Sequence, residues 1–223
     1  MSRRRVMVLA DFLVFPDRAR LSRARTNRLV YTVRGPRGRR NSNMTAPIVI
    51  ETERLILRRP LGGDAAAIFT RYAADPDVTR YLAWPMHRSL EDTLAFIEFS
   101  DNEWERWPAG PLVVCLRADG EIIGSTGIAF ETAERAATGY VFAKDQWGKG
   151  YATESVGAIL GAAARHGERE LYALFHPHHA ASRRVLEKSG FVFERRLHAH
   201  LEFPNFAPGV PADVECYVAR PDQ

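Results

Sequence analysis

The stretch Gln146-Trp147-Gly148-Lys149-Gly150-Tyr151-Ala152 constrains this chain most. It follows an apolar run ending in Val141, Phe142 and Ala143. It precedes Val156, Ile159, Leu160 and Ala163, which recur at helical spacing. The order predicted is therefore strand, glycine-rich loop, helix. Two glycines let the backbone turn tightly and bring its N–H groups close to a ligand. The first turn of the following helix leaves N–H groups unpaired and carries partial positive charge. Together these features suit a phosphate or pyrophosphate. The spacing is not that of a Walker A loop. Nor is it a dinucleotide fingerprint: the third small position is Thr153, and the next strand runs out at His176-Pro177, with no acid to hold a ribose.

The 223 residues, 46% of them hydrophobic, suffice for one sizeable core and at most a second small unit. No run approaches the ~18 apolar residues of a membrane span, and no membrane partner is expected. Cys115 and Cys216 each lie in an apolar strand-like run, far from other ligands in sequence, and are expected to be buried and reduced. The net charge of +4 conceals an asymmetry. Residues 1–43 hold 12 arginines against 2 aspartates, a net of +10, so the remainder carries −6. The first unit is thus an Arg-rich leader, 1–43, expected to have little fixed structure. It reads as sequence upstream of a natural start at Met44, with a transit peptide or a nucleic-acid arm as the alternatives. The domain proper is 44–223.

Within that domain, 48–59 reads as a strand pair or one bent strand. Asp64 is placed to cap a helix reaching about Ala73. A second helix, 89–105, starts at a Ser89/Asp92 capping pattern and is expected to bury Leu94, Phe96, Ile97 and Trp104. Strands at 112–116 and 121–130 are joined at Asp119-Gly120, a hairpin signal. A strand at 138–142 leads into the loop. After the long helix, to about His166, come a strand at 171–175, a helix at 180–188 ending at Gly190, and two antiparallel strands, 191–197 and 214–218. The fold class expected is α/β (α+β): a single domain with a mixed, mostly antiparallel central sheet and helices on both faces.

Four segments carry a family resemblance. Gln146-Trp147-Gly148-Lys149-Gly150-Tyr151-Ala152 is similar to the Q-x-G-x-G-x-A/G loop of the GNAT superfamily of N-acetyltransferases. Thr52-Glu53-Arg54-Leu55-Ile56-Leu57-Arg58 resembles the opening strand of its branch containing the ribosomal-protein alanine acetyltransferases (RimJ/RimL-like). Ala180 to Phe191 resembles that branch's N-x-x-S-…-L-x-K-x-G-F segment, with His179 in place of the asparagine. Glu202-Phe203-Pro204-Asn205 resembles its E-F-x-N segment. The matches fall in order across 48–219.

The resemblance implies acetyl-CoA as cosubstrate and transfer of its acetyl group to a primary amine, on a protein N-terminus or a small molecule, by direct attack in a ternary complex. It implies an enzyme of the cytoplasm, monomeric or homodimeric, with no metal. The coenzyme would be held by Val141, Phe142, Gln146, Gly148, Lys149, Gly150, Tyr151, Ala152, His179 and Ser182. The strand at 141–143 would splay from its neighbour so that the pantetheine arm pairs with it. Ser182 would donate to the departing sulfur; a helix-capping role is the alternative. Glu202 would be the general base, provided burial raises its basicity, with Glu131 and Glu134 as rivals. Arg80, Tyr81 and Trp84 would line the acceptor side, unless they simply pack. His176, His178 and His179 form a cluster with no fourth metal ligand in sight. A non-catalytic acyl-CoA-binding module is the alternative function, favoured if Glu202 and Glu131 both lie away from the thioester. Nucleic-acid binding would have to act through the leader.

Overall fold

The structure, a computed structural model, describes residues 49–106, 110–132, 134–166 and 170–220. The Arg-rich leader and Ile48 lie outside the described residues. β1 (Ile50–Glu51) turns back on β2 (Leu55–Arg58), the strand pair predicted. A 3₁₀ turn, Gly62–Asp64, leads into α1 (Ala65–Ile68), which widens into a π turn, Phe69–Ala73. Asp64 does not cap this helix. Its carboxylate turns back to accept from both Arg58 Nη atoms, at 2.7 and 2.9 Å, and from the Leu61 N–H. A bidentate guanidinium outcompetes one cap bond. α2 (Pro76–Thr79) is capped by Asp75, which accepts from the N–H groups of Asp77 and Val78.

α3 (Leu90–Arg106) begins as expected, with Asp92 accepting from the Arg88 and Ser89 N–H groups. Its buried face runs through Thr93, Phe96, Ile97, Ser100 and Glu103, so Leu94 points outward instead. Position 94 is rotated about 100° from 93 and falls off the stripe. β3 (Pro111–Leu116) and β4 (Ile122–Phe130) form the hairpin, its turn closed by Gly120 at φ 78°. There follow β5 (Arg135–Phe142), α4 (Tyr151–His166), β6 (Glu170–Phe175), α5 (Ala180–Lys188), β7 (Val192–Glu202) and β8 (Pro211–Ala219).

The eight strands form one sheet in the order β1-β2-β3-β4-β5-β6-β8-β7, and β5–β6 is its parallel pair. Alternation along β3 shows why helices cover both faces. Leu112 and Val114 join a cluster with Val156 and Ile159 of α4 and Leu186 of α5. Val113 and Cys115 join another with Ile68, Tyr72, Phe96 and Ile97 from α1, its π turn and α3. Both cysteines are buried and free. Gly124 of β4 has no room for a side chain: a Cβ there would collide with the Val141 carbonyl. That close approach presses the end of β5 onto β4.

Candidate active site

β5 and β6 pair only at Arg135↔Glu170, Ala136↔Leu171 and Ala137↔Tyr172. Beyond this point β5 stays with β4 as far as Gly124↔Phe142, while β6 stays with β8 through Phe175↔Glu215. The sheet therefore opens into a wedge. Ala143 donates its N–H to the Ile123 carbonyl at 2.8 Å. Strand alternation then turns the N–H groups of Tyr140 and Phe142 the other way, into the wedge. The Phe142 carbonyl accepts from Trp147 Nε1 at 2.8 Å, which leaves its N–H as the group offered there. The family resemblance implied an open strand at 141–143; here the N–H groups turned to the wedge are those of Tyr140 and Phe142, and that of Ala143 is bonded to β4.

The wedge leads to the glycine loop. A 3₁₀ turn, Lys144–Gln146, precedes Gly148 at φ 77° and Gly150 at φ 85°. A Cβ on Gly148 would meet nothing within 4 Å, so glycine is required there by the backbone conformation alone. Glu154 makes the bond from its N–H to the Gly150 carbonyl, at 3.1 Å. The N–H groups of Tyr151, Ala152 and Thr153 precede that bond and have no intrahelical partner.

The loop is braced from the second segment of resemblance. Glu154 accepts from the Thr52 hydroxyl at 2.6 Å, the Arg54 N–H at 2.9 Å and Arg54 Nε at 2.6 Å. Arg54 also donates to the Lys149 carbonyl at 3.0 Å and lies over the Tyr151 ring. Burial opposes the Glu154 charge, but the bonds from Thr52 and Arg54 outweigh it and hold the carboxyl below its ordinary range. Two motifs about a hundred residues apart thus form one clamp.

A cavity of about 300 Å³ runs along the loop and through the wedge. Val141, Phe142, Gln146, Gly148, Gly150, Tyr151, Ala152, His179 and Ser182, all predicted, line it. Lys149 is not among the lining residues; its Nζ donates to Gln146 Oε1 at 3.0 Å. Sequence reasoning missed Tyr140 and Trp147, and also Arg184 and Lys188. The last two share a helical stripe with Ala181 and Val185, a periodicity that the sequence carried. Val78 and Leu82 line the cavity from the α2 side. The opening therefore passes from the α4/α5 face of the sheet to the α2 face.

His179 replaces the expected asparagine as a helix cap. Its Nδ1 accepts from the Ser182 N–H at 3.2 Å. Burial, with His176 nearby, holds the imidazole below its ordinary range. It is neutral near pH 7, and because Nδ1 accepts, its proton sits on Nε2. Ser182 is therefore not the cap. Its Oγ lies 2.8 Å from the Tyr140 hydroxyl, on the cavity wall.

On the α2 side, Tyr81 stacks on His176 with centroids 5.0 Å apart and also contacts His179 and Phe206. The Arg80 guanidinium lies over the Tyr81 and Phe206 rings. Trp84 is placed differently from the expectation. It is buried among Ile68, Tyr72 and Phe96, and like Arg80 and Tyr81 it does not line the cavity. Its backbone is instead held by Asn205, whose amide accepts from the Met86 N–H and donates to the Thr79 and Trp84 carbonyls at 2.8–2.9 Å. The asparagine of E-F-x-N is an anchor for the 79–86 loop.

The carboxylates fit their expected role poorly. Glu202 is exposed at the end of β7 and does not line the cavity, so the burial that would fit it for proton removal is missing. Its neighbour Phe203 is buried and packs edge-on against His176. Glu131 and Glu134 flank the start of β5, at the closed end of the wedge. There Glu131 faces Arg135, and the Glu134 carbonyl accepts from the Glu170 N–H. His176 Nδ1 accepts from the His178 N–H. Among the described residues, no three metal-binding side chains gather, and no helix is long and apolar enough to cross a membrane.

The arrangement fits a coenzyme A thioester: glycine-loop and helix N–H groups for a pyrophosphate, and an unpaired strand for an amide-bearing arm. Comparison with known proteins agrees. The chain is 29% identical over 178 residues to the uncharacterized N-acetyltransferase YoaA of Bacillus subtilis, covering 76% of this chain and 94% of that one. Mycobacterium smegmatis RimJ in complex with CoA-disulfide superposes with a TM-score of 0.64 at 24% identity, covering 78% of this chain and 86% of that one. The Salmonella typhimurium acetyltransferase that modifies the N-terminal serine of ribosomal protein L7/L12 superposes with a TM-score of 0.68 at 18% identity, covering 78% and 99%. The placement of Glu202 and Glu131 alone would have left a non-catalytic module open; the family decides for catalysis. Residues 54–192, more than half of the chain, match the acetyltransferase (GNAT) domain, and the protein belongs to that family as an acetyl-CoA-dependent N-acetyltransferase.

Proposed function

We propose that the protein transfers the acetyl group directly, in a ternary complex, to a primary amine on a protein N-terminus or a small molecule. The observation that carries this reading is the cavity crossing the sheet between β5 and β6. Its lining joins the glycine loop and α5 to Val78 and Leu82 on the α2 side, which supports coenzyme and acceptor meeting at the end of β5. When bound, acetyl-CoA supplies the electrophilic carbonyl and the leaving sulfur. The N–H groups from Gly148 to Ala152 hold the pyrophosphate, with Arg184 and Lys188 beside it. The Phe142 N–H faces the thioester oxygen and stabilises charge that develops on it. Ser182 donates a hydrogen bond from its hydroxyl to the departing sulfur. His179 holds the first turn of α5, and so Ser182, in place.

The acceptor enters from the α2 face, past Arg80 and Tyr81. Glu202 takes up the amine's proton at that mouth through solvent rather than as a buried base. The likeness to an enzyme that modifies a ribosomal-protein N-terminus supports a protein N-terminus as acceptor and the cytoplasm as the site of action.

Turnover measured with an amine panel tests these roles. Ser182→Ala is expected to lower kcat about 10- to 100-fold with little change in coenzyme affinity. Glu202→Gln is expected to flatten the acidic limb of the pH–rate profile. Wild-type turnover in the first variant, or a wild-type profile in the second, rejects that residue's role.

A further inference from the structure

We infer that Tyr140 is the positioning residue for Ser182: its hydroxyl engages the serine at rest and releases the serine's proton toward the sulfur as negative charge builds there. The inference rests on the role proposed for Ser182 above.

Tyr140 projects from β5 on the same face as Phe142 and reaches α5. Its hydroxyl lies 2.8 Å from Ser182 Oγ and 3.1 Å from the Ser182 carbonyl. Both side chains line the coenzyme cavity. The carbonyl can only accept. Two hydroxyl protons are therefore shared among three oxygens, and two arrangements satisfy them. In one, Tyr140 donates to the carbonyl and Ser182 donates to Tyr140, so no proton points into the cavity. In the other, Tyr140 donates to Ser182 Oγ, and the serine proton turns outward. Rotation of two O–H bonds interconverts them, and no heavy atom moves.

An anion at the sulfur position favours the second arrangement, because a charge-assisted bond is about twice as strong as a neutral one. The serine proton then hydrogen-bonds to the sulfur as the carbon–sulfur bond breaks and the electron pair settles there, and the thiolate takes up its proton from solvent. Ser182 keeps a donor from Tyr140 throughout. Burial pushes the Tyr140 phenol well above its ordinary range, so it stays protonated and acts as a donor, not as the net source of the proton. The interaction is strengthened only when the sulfur is charged, which is the condition for an effect on turnover rather than on binding.

The test reads the sulfur without needing an acceptor. Full-length protein is titrated calorimetrically with coenzyme A and with desulfo-coenzyme A, which has no thiol, across the pH range in which the thiol ionises. In the wild type, coenzyme A should gain affinity over the desulfo analogue as pH rises, because the bound thiolate receives the serine proton's hydrogen bond. Tyr140→Phe keeps the ring and should cut that gain about three- to tenfold, leaving desulfo-coenzyme A affinity within twofold. Ser182→Ala should abolish the gain, and the double variant should match Ser182→Ala.

A wild-type gain in Tyr140→Phe overturns the inference while leaving Ser182 in its role. Equal weakening of both ligands by Tyr140→Phe also overturns it, since the hydroxyl would then serve packing alone. A gain that survives in Ser182→Ala overturns the Ser182 reading and this inference together.

Discussion

Glu154 shows how much one side chain can organise at the residue scale. Its two oxygens gather Thr52, Arg54 and, through Arg54, the Lys149 carbonyl, so one carboxylate fixes both β2's approach and the glycine loop. Glu154→Gln keeps the shape but loses the charge. Arg54 is 44% exposed on its side chain, so solvent weakens its share. The expected loss is about 1–2 kcal/mol in denaturant unfolding, with coenzyme affinity reduced because the loop is less firmly held. The carboxyl titrates below its ordinary range in the fold. Its contribution is therefore complete above the unfolded value near 4.5 and disappears as pH falls through the folded value. Wild type and variant should converge in stability at acid pH, and a gap that persists there would contradict the clamp.

At this scale the sequence was informative where the rule is local. Gly148 and Gly150 declared a tight turn, which the backbone makes at positive φ, and Ser182 declared a hydroxyl at a helix start. It was silent where the partner comes from elsewhere in the chain. Nothing local says that Tyr140 meets Ser182 across 42 positions or that Asn205 holds Trp84.

At the scale of elements, boundaries set by caps and glycines were legible. α5 ends before Gly190 at φ 84°, and α3 starts at the Asp92 cap. The π turn after α1 and the short α2 were not, because each depends on packing rather than on a motif. The loop joining α2 to α3 carries His87, which lies buried against Trp84 and Phe96 with Nδ1 2.8 Å from the Thr93 hydroxyl. Burial outweighs nearby Asp92 and holds its pKa down to about 4. The unfolded chain takes up this proton near 6.5 and the folded chain does not. The stability tied to neutral His87 is therefore intact above about 6.5 and is lost as pH falls from there to about 4. The loss should reach about 2–3 kcal/mol, measured as unfolding midpoints at stepped pH. In His87→Phe the slope across that window should flatten, and an unchanged slope would assign the acid sensitivity to another group.

At the scale of the molecule, the sheet does one thing with its parallel pair. β4 keeps β5 while β8 keeps β6, and the strands part after Ala137. Gly124 makes the first attachment tight, the β6–β8 ladder makes the second long, and the cavity is what remains between them. A mixed, mostly antiparallel sheet followed from the hairpin signal and from strands falling between helices, whereas the strand order, with β8 inserted between β6 and β7, did not. The wedge itself was legible only through the family resemblance, since divergence between strands leaves no mark in residue pattern. The account stands most directly on a crystal structure of the full chain with coenzyme A. It predicts the pyrophosphate within hydrogen-bonding distance of backbone N–H groups between Gly148 and Thr153, with the arm lying along Tyr140 and Phe142. Coenzyme bound anywhere else, or an arm that leaves the β5–β6 wedge empty, would contradict it.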